Sequence, residues 1–315
     1  MLYPLTFQPI LKERVWGGHK LTSRYGKPAP GTTPIGESWE ITDRPEGVSV
    51  IANGPLAGKD LRWLMEHHQR ELLGPAKSAQ GRFPLLCKII DAQADLSLQV
   101  HPPADKAAGL GGEPKTEAWF FADATPEAQI FVGLKRGVTR EEFERKVRDG
   151  SVAGCFHRHS VKRGDAMFLP SGRVHALGAG CLIFEIQQNS DTTYRVFDWN
   201  RVGLDGQPRQ LHIREALESI DFHDFEPALI SQTAAPVETL VDHPLFRIER
   251  HDGGQANLGA GQAQVIAVIH GSLTVQGGGQ KVRLRAGDFC LVPAAVTDAN
   301  RQSDAQTTYL VATPG

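Results

Sequence analysis

The chain has 315 residues, enough for one large core or two moderate ones. A formal net charge of −2 offers no basic field for nucleic acid, and no apolar run reaches the roughly 20 residues that a membrane helix needs. The opening residues lack the basic-then-apolar order of a secretory signal, and Cys87, Cys155, Cys181 and Cys290 form no Cys-x-x-Cys pair, so reduced thiols in a cytoplasmic protein are expected.

With 33 Gly and 20 Pro the chain breaks itself often, which predicts a mainly β protein of short strands with a few helical insertions. In chain order, a helix is expected from about Lys59 to Leu73, where Leu61, Leu64 and Met65 recur at helical spacing. Leu85 to Ile90 is an apolar run interrupted by Lys88. A lysine there is either an edge-strand gatekeeper or the partner of a buried anion, and the second reading is favoured. Leu96 to His101 alternates, placing Ser97, Gln99 and His101 on one face and Leu96, Leu98 and Val100 on the other. Lys115 and Glu117 share a face of the next strand. Thr139 and Glu142 read as a capping box ahead of a helix striped by Phe143 and Val147. A short helix is expected near Ile213 to Ile220, and Pro227 to Pro236 reads as a linker. Beyond it, Gly287 to Asp298 repeats the pattern of Gly164 to His175: both start Gly-Asp and place a proline six residues after the glycine. The second copy has Asp298 where the first has His175. The Ser272 to Gly279 stretch reads as a hairpin leading into it.

The chemistry concentrates in the first copy. Gly164, Pro170, Gly172 and His175 read Gly-x5-Pro-x-Gly-x2-His, a strand, a tight turn and a second strand that would hold His175 on a rigid wall. That spacing resembles the second signature of the cupins, small β-barrels that often carry one metal ion. A barrel interior is normally apolar, so a Ser97/Gln99/His101 face turned inward suggests a site. Gln99, His101, Glu117 and His175 form a candidate set of two imidazoles, a carboxylate and an amide oxygen, which suits zinc, with manganese, iron or cobalt open. On its own His175 reads more often as a satisfied structural histidine, Glu117 as a surface carboxylate and Gln99 as a backbone partner. His157 and His159 are a rival pair, read here as a solvated basic turn. His67 and His68 are adjacent on the first predicted helix and cannot face one target.

Six motifs in order resemble the type I mannose-6-phosphate isomerases: Trp16-Gly17-Gly18, Gly36 to Glu40, Ser97 to Pro102, Lys115 to Trp119, Pro170 to His175, and Asn189 to Arg195. Gln99 in place of a cupin histidine, and a Glu117 far downstream, fit that family better than a generic cupin. The resemblance implies two cupin-like jelly-roll barrels, a catalytic metal-binding one over residues 1–230 and a C-terminal one over residues 231–315 without a metal site. It implies interconversion of mannose 6-phosphate and fructose 6-phosphate with one zinc ion per chain, held by Gln99, His101, Glu117 and His175. It makes Arg195, Lys115 and Glu185 catalytic and associates Ser97, Lys88 and Arg201 with the phosphate. Trp16 and Glu37 fall to the pocket wall. The expected partner is a small phosphosugar, with no nucleic acid and no membrane; the oligomeric state is not written in the residues. Two other readings stay open: a metal isomerase of another phosphosugar, and a non-catalytic sugar-binding cupin.

Overall fold

Residues Leu85–Ala92 form a strand buried along its whole length, which is why the sequence there is nearly all apolar. The computed structural model, which describes every residue except Pro30, Thr32 and Ala260, sets this strand inside a six-stranded antiparallel sheet. The order across it is Ile10–Gly18, Ile35–Ile41, Leu85–Ala92, Cys181–Gln188, Glu117–Ala124 and Ala166–Leu169. Alternation sends Cys87 and Ile89 into one core and Ile90 and Ala92 into another. Lys88 shares the Ile90 face and is 3% exposed, so it is no edge gatekeeper.

A second antiparallel sheet runs Tyr194–Phe197, Leu98–Val100, His175–Leu177, Gln129–Leu134 and Phe156–Ser160. Its Ile130, Val132 and Leu177 pack against Trp119, Phe121 and Ile183 of the first sheet. Its other face, with Phe131, Ala176 and Val196, is covered by helices Arg140–Asp149 and Ile213–Ser219 through Phe143 and Ala216. The Thr139 hydroxyl caps the first of these, accepting from the Glu142 N–H at 3.2 Å. Helix Leu61–Leu73 starts two residues later than its periodicity predicts because Asp60 takes the cap, accepting the Trp63 N–H at 2.7 Å. A six-residue helix, Lys20–Tyr25, was not legible as a pattern; it closes on Gly26 at φ +63°.

The third sheet follows the order Val237–His243, Phe246–Asn257, Asn300–Pro314, Gln264–His270 and Phe289–Val292. Joined to it is the expected hairpin, Ser272–Gly277 with Gln280–Arg285. Its turn residues Gly278 and Gly279 both have positive φ, as a type I′ turn requires. Ile248, Ala267 and Leu310 pack on Phe120, Phe184 and Ile186, so the six-stranded sheet is a middle layer with cores on both faces. The internal repeat is visible in the backbone. Gly164 and Gly287 both take left-handed φ, near +90°, and the strands Ala166–Leu169 and Phe289–Val292 each end at the proline. The copies then part: His175 opens a strand, whereas Asp298 accepts the Gly278 N–H at 2.9 Å and holds the hairpin turn.

Two expectations change in the structure. His157 and His159 lie on the strand Phe156–Ser160 rather than in a turn, paired to Gln129–Leu134, with His159 bonded to the Pro227 carbonyl. The 227–236 segment is partly pinned: Ile230 bridges Ala166, and Arg250 donates to the Thr233 and Ala235 carbonyls. No helix among the described residues is long and apolar enough to cross a membrane.

Candidate functional site

Antiparallel pairing aligns three candidate side chains in one row of the second sheet: Arg195 opposite Gln99, and Gln99 opposite His175. Directly opposed residues share a face, so all three look toward the six-stranded sheet. That sheet answers with Glu117, opposite Gln187 and Leu169. His101 follows the strand Leu98–Val100 and closes the set. The donor atoms of His101, Glu117 and His175 all lie within 4.8 Å of one another, and all three residues are buried.

The donors are prepared for a cation. His101 Nδ1–H donates to the Thr192 carbonyl at 2.8 Å, and His175 Nδ1–H to the Arg173 carbonyl at 2.9 Å. Each bond fixes the tautomer that leaves Nε2 as a free lone pair. Both Nε2 atoms lie 3.4 Å from Glu117 oxygens. His101 Nε2 and Glu117 Oε1 are buried with no hydrogen-bond partner among the described residues, a cost that a bound cation removes. Burial, then the Lys115 charge, pushes His101 well below its ordinary range, and burial also lowers His175, so both rest in the neutral, ligating form. The Gln99 amide faces His175 Nε2 through its NH2 at 3.2 Å and accepts the Ser97 hydroxyl through its oxygen at 3.1 Å. Rotating the amide by half a turn exchanges these ends and offers the oxygen as a fourth ligand.

Beside these donors opens a cavity of about 550 Å³, lined by Trp16, Glu37, Lys88, Ser97, Lys115, Glu185 and Arg195 among others. Lys115 Nζ lies 2.8 Å from Glu117 Oε2 and 3.7 Å from Glu185 Oε1. Burial alone would lower the proton affinity of Lys115, but the two carboxylates override it and raise it, so the group stays an ammonium. Glu185 moves the other way: burial, then the Glu117 charge, raises its carboxyl above the usual range. Burial would do the same to Glu37. There, Lys88, Arg14 and the Trp39 indole, which donates at 2.7 Å, prevail and hold the carboxyl at about 2.

Of the predicted site residues, all except Arg201 are gathered at this cavity or at the donor cluster on its wall. Arg201 stands apart: Nε and Nη2 are bonded to Asp198, Nη1 to the Asp95 carbonyl, and its side chain is not among those lining the cavity. Lys88 also differs from the expectation of a phosphate partner. Its ammonium has Glu185, Glu37 and Asp191 carboxylates at 3.6, 3.7 and 3.9 Å, so the anions it meets are the protein's own. Sequence reading missed Arg14 and Arg209, which both line the cavity. Arg14 was open to detection, two residues before Trp16 on one strand face. Arg209 lies in an irregular segment where no period marks a face.

The geometry can be set beside known proteins. A family model for the type I phosphomannose isomerase catalytic domain matches residues 5–141. The probable mannose-6-phosphate isomerase GmuF of Bacillus subtilis is 37% identical over 303 residues, 93% of this chain and 94% of that one. Mannose-6-phosphate isomerase ManA of the same organism is 37% identical over 301 residues, 92% of this chain and 93% of that one. A crystal structure of a B. subtilis mannose 6-phosphate isomerase superimposes with a TM-score of 0.87 at 33% identity, covering 99% of both chains. Likeness at that identity over nearly the whole length, with the motif residues meeting at one cavity, means that the chain belongs to the type I mannose-6-phosphate isomerase family.

Proposed function

We propose that this protein interconverts mannose 6-phosphate and fructose 6-phosphate through a cis-enediol intermediate, with one zinc ion held by Gln99, His101, Glu117 and His175. The observation that carries the reading is the buried donor set, two neutral imidazoles and a carboxylate with unpartnered atoms aimed at one point. Zinc there supplies a Lewis acid for the oxygens at C1 and C2 of the open-chain sugar.

The residues around it divide the remaining work. Glu185 is the proton shuttle: a buried carboxyl with raised proton affinity can take the C2 proton and return it to C1. Lys115 is unsuited to that role because Glu117 and Glu185 hold its proton in place. It orients Glu117 Oε2 and leaves Oε1 for the metal. Arg195 sits beside Gln99 in register and has a buried Nε without a partner, so its guanidinium can meet the oxyanion that develops on the enediol. Trp16, Glu37, Ser97 and Lys88 contact the sugar body and fix its orientation. Residues 1–230 form the catalytic unit, and residues 231–315 a cupin-like module that buttresses the middle sheet. We place the protein in the cytoplasm, where the buried thiols of Cys87, Cys155, Cys181 and Cys290 stay reduced.

The test is a coupled assay of mannose 6-phosphate turnover on purified protein, before chelation, after it, and after zinc is restored. Activity lost and then recovered supports the reading. A zinc-replete protein that binds the sugar phosphate without isomerising it would make this a binding module instead.

A further inference from the structure

We infer that Arg209, flanked by Arg14 and Arg195, recognises the phosphate of the substrate at the mouth of the cavity. This rests on the reading above that the substrate is a sugar phosphate, and it moves the phosphate away from Lys88 and Arg201.

The segment after the strand Tyr194–Phe197 doubles back on itself. Val202 bridges Pro208, and the Gly203 N–H donates to the Gln207 carbonyl at 2.8 Å. Asp198 staples the two arms together, taking Arg201 from one and Arg209 from the other. The two guanidiniums end in different states. All three nitrogens of Arg201 are used, on Asp198 and the Asp95 carbonyl. Arg209 meets Asp198 through Nε and Nη2 only. Its Nη1 edge has no partner among the described residues, and the side chain lines the cavity. Asp198 thus fixes the rotamer of Arg209 while leaving one edge free, which lowers the ordering cost of binding an anion.

Two further observations place the anion on this side. Arg195 and Arg14 line the same cavity, and Arg195 has no carboxylate within 4.0 Å among the described residues. Burial, then Arg209, lowers the proton affinity of Arg195, with Arg14 contributing, so these guanidiniums are close enough to repel one another. A phosphate dianion relieves that repulsion, and planar guanidiniums suit its oxygens. At Lys88, by contrast, the same dianion would confront three carboxylates that already surround the ammonium.

The experiment compares Arg209→Leu, Arg209→Lys and Arg201→Leu in zinc-replete protein. It reads KM and kcat for mannose 6-phosphate, competitive inhibition by inorganic phosphate, phosphate binding by calorimetry, and melting temperature. Removing a charged hydrogen-bond donor from a phosphate costs about 10- to 150-fold in affinity. Arg209→Leu is therefore expected to raise KM and weaken phosphate binding together within that range, with kcat little changed, and Arg209→Lys to recover part of both. Arg201→Leu breaks the same Asp198 cluster and is expected to lower the melting temperature without a comparable change in KM. The inference is overturned if Arg209→Leu leaves phosphate binding as in the parent, if the parent binds no phosphate, or if Arg201→Leu reproduces the KM change. Should the parent bind phosphate through Arg209 yet not turn over mannose 6-phosphate, the catalytic reading fails and this one stands.

Discussion

Replacing Lys88 by Met keeps the apolar stem and removes a charge that faces Glu185 at 3.6 Å and Glu37 at 3.7 Å. At an effective dielectric of about 20, one such contact is worth roughly 4 to 5 kcal/mol before desolvation is counted. Burying the lysine offsets much of that, and a neighbouring opposite charge usually moves a carboxyl by about one to three pH units. The direction is fixed: without Lys88 the ionised form of Glu185 is less favoured. A base must be ionised to take a proton, so the acid limb of the kcat profile should move up by about one to three pH units. Turnover near neutrality should fall and recover in alkaline buffer. Glu37 should respond less, because Arg14 and Trp39 still hold it. The assay is kcat and kcat/KM for mannose 6-phosphate across about pH 5 to 9, with zinc content measured on the same samples. An acid limb left in place in a folded, zinc-replete variant would refute Glu185 as the base that Lys88 tunes.

The remaining expectations concern the metal and the contact between layers. His175→Ala removes one of three clustered donors and should abolish both zinc content by elemental analysis and turnover, whereas replacing Arg195 should lower turnover with zinc retained. A metal-free His175→Ala protein with full activity would rule out the site. Lys27→Met strips the partner from buried Glu40, to which Lys27 Nζ is held at 2.8 Å, and also frees the Gly287 carbonyl of the C-terminal sheet. Breaking a buried pair from one side costs about 3–5 kcal/mol. Burial already holds the Glu40 carboxyl above 4.5 despite Lys27, so the folded state binds the proton more tightly than the unfolded one. Stability therefore falls as pH rises from about 4.5, and more steeply in the variant. Denaturant unfolding should show the deficit growing from pH 5 to pH 8; a deficit independent of pH would show that Glu40 is not the group left uncompensated.

Much of the site was legible because β-structure writes its faces at a period of two. Ser97, Gln99 and His101 alternate with apolar residues, and Lys115 with Glu117 does the same, so each face could be read before its partner strand was known. The Gly164 and Gly287 copies were legible because both glycines must take a left-handed backbone that other residues avoid. Helix Lys20–Tyr25 was not, because six residues are too few to establish a 3.6-residue period. His157 and His159 misled for the opposite reason: their polar alternation belongs to an edge strand, which a single sequence does not distinguish from a solvated turn.

What the sequence determined by itself was the kind of side chain on each inward face: imidazole, amide, carboxylate and ammonium at positions where apolar residues would otherwise fill a barrel. What only the tertiary structure decided was which charges neutralise one another. Lys88 and Arg201 read as open cations along the chain, yet Glu37, Glu185 and Asp191 surround the first and Asp198 and Asp95 occupy the second. Arg209, unremarked in the sequence, keeps an edge on the cavity. Pairing is a matter of a few ångströms between segments up to about a hundred residues apart, and only the pairing of strands brings those segments together.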